Sequence, residues 1–250
     1  MRARDHKLAA KAALKNKWGI AIGVFFIQFI ISSFVGGIPE DYAWASVLLF
    51  IFLTAPLSVG YSWFYLDVKR LAKPKIETLF EGFSKNYIRN VLAVVFMTIF
   101  VILWSLLLII PGIIKGLSYS MTLYILRDRP ELSALEAITE SRKMMDGKKK
   151  DLFFLMLSFI GWVIIPIAIF LFGLITMVLG LFGDGSVALM ITGTLSFFIG
   201  LVAMFGISIY VTPYYMTSMA VFYDDYVKPK DDEPTEDRVV DSAESETPQV

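Results

Sequence analysis

The stretch Val91–Ile110, VLAVVFMTIFVILWSLLLII, carries no ionisable side chain and runs straight into Pro111-Gly112. Wound as an α-helix, about 20 residues rise roughly 30 Å, the thickness of a bilayer's hydrocarbon core. In that medium every backbone N–H and C=O needs an internal partner, which a helix supplies. The stretch therefore predicts a transmembrane helix. Working outward from it, five more apolar runs appear: Trp18–Ile38, Ala43–Leu66, Ile113–Leu126, Leu152–Phe182 and Val187–Phe222. Apolar residues make up 56% of the chain and charged residues 18%, against roughly 45–50% and 25% in soluble domains. The predicted fold class is all-α, a polytopic transmembrane helical bundle of about six spans.

Charge sets the expected orientation. Lys and Arg collect in 1–17, 67–90 and 127–151, whereas the short connections 39–42 and 183–186 carry only acids. Lys- and Arg-rich segments stay on the cytoplasmic side. The chain is then expected to form three hairpins in the plasma membrane, with both termini cytoplasmic. Pro111-Gly112 is the expected turn of the second hairpin, since Pro ends a helix and Gly permits a tight reversal. Ile113–Leu126 is short at about 21 Å. It reads as a tilted span, a re-entrant segment or a helix that thins the bilayer, with Lys115 placed to snorkel. Trp18–Ile38 is longer than a typical signal-peptide core and no clear cleavage site follows it, which predicts an uncleaved first span. Residues 1–17 read as a basic cytoplasmic helix in which His6 is solvated. Residues 224–250 hold 10 Asp/Glu against 3 Lys/Arg, with Pro229, Pro234 and Pro248, and read as a disordered acidic cytoplasmic tail. The membrane domain is 18–223.

The three hairpins resemble one another. They begin at Lys15-Asn16-Lys17-Trp18, Lys85-Asn86-Tyr87 and Gly147-Lys148-Lys149-Lys150, at intervals of roughly 65 residues, a spacing that suggests a repeat. The return helices carry Pro56, Pro111 and Pro213, and each ends on an aromatic before an aspartate: Tyr65 and Asp67, Tyr124 and Asp128, Tyr223 and Asp224. Two connections read as amphipathic interfacial helices, near 75–87 and 133–147. In the first, Ile76, Leu79, Phe80, Phe83 and Tyr87 form one apolar stripe. The second opens with a Ser133-x-x-Glu136 capping box and stops at Gly147.

Catalytic, cofactor and metal residues are not expected. The chain has no Cys and a single His, which excludes disulfides, thiol chemistry and Cys-based metal sites. No ionisable group lies well inside a span, where function would be needed to justify its cost. Gln28 and Ser158 are the candidate intramembrane polar site; such groups either line a cavity or bond across a helix interface. Gly19 with Gly23, Gly173 with Gly180, and Gly193 with Gly200 mark possible close helix contacts. Arg142, Lys143, Lys148, Lys149 and Lys150 are the candidate lipid-headgroup contacts. The expected partners are the lipid bilayer, anionic lipids in particular, and a basic cytoplasmic protein through the acidic tail, unless that tail lies on the chain's own basic loops. No nucleic-acid motif is present.

Several stretches together resemble a family of bacterial integral membrane proteins found mainly in Gram-positive bacteria, the domain of unknown function nine hundred seventy-five. They are Leu14-Lys15-Asn16-Lys17-Trp18-Gly19, Tyr119-Ser120-Met121, Pro130 through Ile138 (PELSALEAI), Ser141-Arg142, Met145, Gly147, Leu157 through Trp162 (LSFIGW), Pro213-Tyr214 and Phe222-Tyr223. The resemblance covers most of 8–223 and implies a multi-pass plasma-membrane protein with no assigned activity. It also implies a shorter third hairpin than this chain has between Trp162 and Pro213. The added length either projects above the membrane or tilts and bends at Pro166. The chain is thus expected to be a non-enzymatic envelope protein that binds lipid or a partner. The alternative is a transporter or lipid-handling protein built as a pseudo-symmetric bundle.

Overall fold

The computed structural model describes residues 3–84, 86–183 and 186–227, and among these every regular element is helical. A short helix α1 (Ala3–Ala13) precedes α2 (Trp18–Gly36). The second crossing is assembled from α3 (Ala43–Leu49), a π-turn at Phe50–Thr54 and α4 (Ala55–Arg70). Then come α5 (Tyr87–Leu107), α6 (Ile109–Tyr119), α7 (Thr122–Asp128), α8 (Ala134–Met144), α9 (Lys149–Phe182) and α10 (Val187–Val227). Six of the resulting segments are long and apolar enough to cross a membrane. The chain is a multi-pass membrane protein. Lys85, the turn residues 184–185 and the tail from 228 onward lie outside the described residues.

The second hairpin turns earlier than its Pro-Gly suggests. The reversal is at Leu108, an extended residue between α5 and α6. Pro111 sits in the first turn of α6, where its missing N–H deprives the helix of nothing. Gly112 is needed for contact: a Cβ there would meet Ser105 of α5. The segment Ile109–Asp128 is therefore a 20-residue span, about 30 Å long, and the fourteen-residue estimate was too short.

The expected amphipathic helix near 75–87 is a 3-10 segment, Ile76–Phe83. It packs along α4 backbone to backbone and buries Thr78, Leu79 and Gly82, while Ile76, Phe80 and Phe83 of the predicted stripe are exposed. The reason is steric. Gly60 faces the Leu79 carbonyl and Gly82 faces that of Pro56, so the contact runs through the one edge that lacks side chains. The second predicted interfacial helix is α8, and its capping box is present: Ser133 N donates to Glu136 and Glu136 N donates back to the Ser133 hydroxyl.

α9 and α10 form one long antiparallel hairpin. Gly173 and Gly200 lie against Phe197 and Phe170, and Gly180 and Gly193 against Met190 and Met177. These four glycines are close-contact positions. Gly19 and Gly23 are not, because a Cβ on either meets nothing within 4 Å. α9 continues unbroken through Pro166 for 34 residues, about 51 Å, against about 31 Å for the 21 residues of α5.

The buried core lies towards the end of the bundle where α4, α7 and α10 finish. Its fully buried side chains include Phe64, Tyr65, Ile125, Leu126, Phe222 and Tyr223. α1 closes one side of it. His6, Ala10 and Leu14, at i, i+4 and i+8, are all buried, which overturns the solvated reading of His6. Its ring lies 5.2 Å from Phe222, and its Nε2 is 3.3 Å from an Asp225 oxygen. A basic segment can still hide one helical stripe. Asn16 then turns the chain into α2 with φ 64°, a left-handed conformation that Asn tolerates better than most residues.

Candidate functional site

Two polar clusters sit at the end of the bundle that carries α1 and α8, which we call the polar end. The first ties the return helices together. Arg70, in the last turn of α4, holds Asp128 of α7 through two bonds of 2.7 Å. The same guanidinium reaches Asp224 of α10 at 2.8 and 2.6 Å. Tyr223 donates to Asp128 at 3.0 Å. In turn Arg127 of α7 pairs with Asp67 of α4 at 2.8 Å, and Thr78 donates to the other Asp67 oxygen at 2.9 Å. The three aspartates that close the three hairpins thus converge on two arginines. Planar guanidinium matches carboxylate in this forked geometry. Asp224, which this network holds, and Asp225 both lie within α10, which runs to Val227; the rest of the expected acidic tail is outside the described residues.

Arg89 adds a further tie, donating to the carbonyls of Leu126 and Pro130 at 2.9 and 2.6 Å. Lys17 donates at 2.7 Å to both Val68 and Leu71 carbonyls. The Val68, Leu71 and Leu126 carbonyls lie at or just past helix ends, where no intrahelical N–H satisfies them, and Pro130 lies in the turn after α7. Sequence reading missed both roles, because such acceptors leave no mark in residue types. It did register the aromatic–aspartate ends but not their convergence.

The second cluster is the predicted basic one, and its five members differ. Lys143 lies 3.7 Å from Glu140. Lys148 stands 3.6 Å over the Tyr226 ring, a cation–π contact. Arg142, Lys149 and Lys150 form no ion pair with any described residue, and Arg142 and Lys150 are exposed. Lysines at 148–150 crowd the positive end of the α9 dipole, which opposes the helix rather than helping it. Local helix stability therefore does not account for them.

The remaining candidates, Gln28 and Ser158, are not joined by any contact. Gln28 donates to Ser32 at 3.2 Å within its own helix, and its carbonyl oxygen is buried without a hydrogen-bond partner. Ser158 donates to Leu155 O at 2.7 Å, while its own carbonyl accepts from Lys7 at 3.4 Å. Beside the basic cluster runs an apolar cleft of about 580 Å³, walled by α5, α6, α9 and α10.

A family model described as protein of unknown function (DUF975) matches residues 1–115 and 106–229. The chain belongs to this family. No curated protein and no solved structure matches it. The DUF975 match spans α1 through the end of α10, and so includes both clusters and the cleft.

Proposed function

We propose that this DUF975 chain is a non-enzymatic protein of the plasma membrane that binds anionic phospholipid on the cytoplasmic leaflet. The observation that carries the reading is the trio Arg142, Lys149 and Lys150, cationic and without acidic partners among the described residues, placed where apolar helix gives way to polar connections. Near an anionic surface each such charge is worth about 1 kcal/mol, so three together give roughly a hundredfold preference over a neutral leaflet. Both termini face the cytoplasm in this reading, and the acidic tail is free to meet a basic partner there.

The test is enrichment of lipid around the reconstituted protein. In mixed phosphatidylcholine and phosphatidylglycerol vesicles, a brominated phosphatidylglycerol is expected to quench tryptophan more strongly than brominated phosphatidylcholine at equal mole fraction. Replacing Arg142, Lys149 and Lys150 by Gln should remove that difference. Equal quenching by both lipids in the parent protein would reject the reading. Orientation is checked separately. The chain has no Cys, so single cysteines at Glu40, Lys148 and Ser242 need no background removal. External labelling is expected at Glu40 alone; labelling at Lys148 from outside would invert the assignment.

A further inference from the structure

We infer that the cleft between α6 and α9 is an acyl-chain groove, and that one anionic phospholipid occupies it with its headgroup under Arg142, Lys149 and Lys150. The inference rests on the lipid-binding reading above and adds a discrete site of one-to-one stoichiometry to it.

Three observations join here. The first is the lining. Val101 of α5, Gly112, Ile113 and Gly116 of α6, and Phe153, Met156, Leu157 and Ile160 of α9 make it almost wholly apolar. At about 580 Å³ it falls within the ordinary size range of ligand pockets, roughly 300–1,000 Å³. All of these residues belong to segments apolar enough to lie in the membrane, so the medium at the cleft is lipid and its filling is hydrocarbon.

The second is register. Lys149, Phe153, Met156 and Ile160 follow at i, i+4, i+7 and i+11, which places them on one face of α9. Lys150 precedes Phe153 by three and Leu157 by seven and shares the edge of that face. Helical side chains lean toward the N-terminus, so both ammonium groups lie beyond the mouth of the groove on its polar side.

The third is the opposite wall. Ser141 at the end of α8 donates to Ser118 O at 2.9 Å and accepts from Met121 N at 3.2 Å. That bond pair fixes α8 against α6 beside Leu117 and Ser120, which line the cleft. Arg142 is the next residue, exposed and about 100° round α8 from Ser141, which brings a cation to the polar end on the α8 side of the cleft. An apolar slot with cations at its polar mouth complements a molecule that joins an anionic head to a hydrocarbon tail.

The tail gains no hydrophobic free energy by leaving bulk lipid, since lipid tails are as apolar as the groove. The groove fixes position, and the three cations select the head. Filling the groove is therefore separable from neutralising the head site. Gly116 offers the means, because a Cβ there meets nothing within 4 Å.

Native mass spectrometry of protein extracted from vesicles containing phosphatidylglycerol and phosphatidylcholine reads the site directly. The parent protein is expected to retain one phosphatidylglycerol. Gly116→Phe should lower that retention about tenfold and leave the quenching preference for brominated phosphatidylglycerol intact. If Gly116→Phe fails to fold, Leu157→Trp fills the groove from the α9 side and is expected to act alike. Replacing Arg142, Lys149 and Lys150 by Gln should remove both retention and preference. A parent protein with no retained lipid, or with retained phosphatidylcholine in equal measure, overturns the groove. So does undiminished retention in a folded groove-filled variant. If the quenching preference is absent as well, the lipid-binding reading falls with it; if it persists, only the discrete site is lost.

Discussion

At Gly60 and Gly82 two backbones meet with no room for a methyl group. A Cβ at either would stand 1.9 Å from a carbonyl oxygen, that of Leu79 or of Pro56. Those oxygens belong to packed backbone and have no flexible side chain to yield. Gly60→Ala or Gly82→Ala is therefore expected to cost about 2–3 kcal/mol, in the upper part of the range for overpacked sites. A lowered midpoint in thermal unfolding of the detergent-solubilised protein checks it. Gly19→Ala and Gly23→Ala serve as controls, where open space and better helix propensity predict no loss. A fall as large in the controls would refute the steric account. Residue types alone gave no warning of the Gly60–Gly82 contact, because its partners are carbonyl oxygens rather than side chains. The Ser133–Glu136 box, by contrast, was legible, since both halves are side chains at fixed spacing. The Glu136 carboxyl is held below its ordinary value, first by the backbone N–H of Ser133 and then by the Ser133 hydroxyl. A depressed value means the box contributes above the unfolded-state pKa and its contribution is lost as pH falls through the folded one. The amide resonance of Ser133 should accordingly shift with acidification. In Glu136→Gln, which keeps the bond without a proton to gain, it should not shift over the same range.

At the scale of elements, the hairpins were readable from hydropathy because a span must be apolar over about 20 residues whatever else it does. Their ends were not. Pro111 looked like a turn and is the first turn of α6, since a proline opening a helix and one ending a helix share the same local signal. The hydrophobic stripe at 76–87 looked like an α-helix, yet α4 offers that segment a glycine-lined edge and takes its backbone instead. In the third hairpin the glycine spacing was informative, because α9 and α10 contact each other through Gly173, Gly180, Gly193 and Gly200. Without a hydrophobic force between helices in lipid, such close contact is what joins them. Gly173→Leu should force α9 from α10 near Phe197. Cross-linking between cysteines placed at Phe170 and Phe197, whose rings lie 4.8 Å apart, would report the separation. Unchanged cross-linking efficiency would show that the hairpin tolerates the bulk and that the glycines are incidental.

For the whole molecule, the question is what holds three hairpins in one arrangement when most of their span surface is bare. Much of α5, α9 and α10 faces outward with large apolar side chains, and that surface packs against no other described element. The binding together is done at the polar end, where Arg70 and Arg127 gather Asp67, Asp128 and Asp224. Their side chains are partly to largely buried, from 32% exposed for Arg70 to 6% for Asp67. At such sites a hydrogen bond to a charged group is worth about 1.5–3 kcal/mol, and a stranded partner costs more than the bond gains. Arg70→Ala strands two carboxylates at once and should destabilise by about 3 kcal/mol, whereas Arg70→Lys keeps the charge but loses the fork and should recover only part. Asp224 belongs to this network although it falls in the compositionally acidic tail. A chain ending at Val227 should therefore unfold at the parental temperature, and one ending at Tyr223 should lose several degrees, as should Asp224→Asn in the full chain. Equal stability of the two truncations would mean that the Arg70–Asp224 bond adds nothing and that Arg70 acts through Asp128 alone.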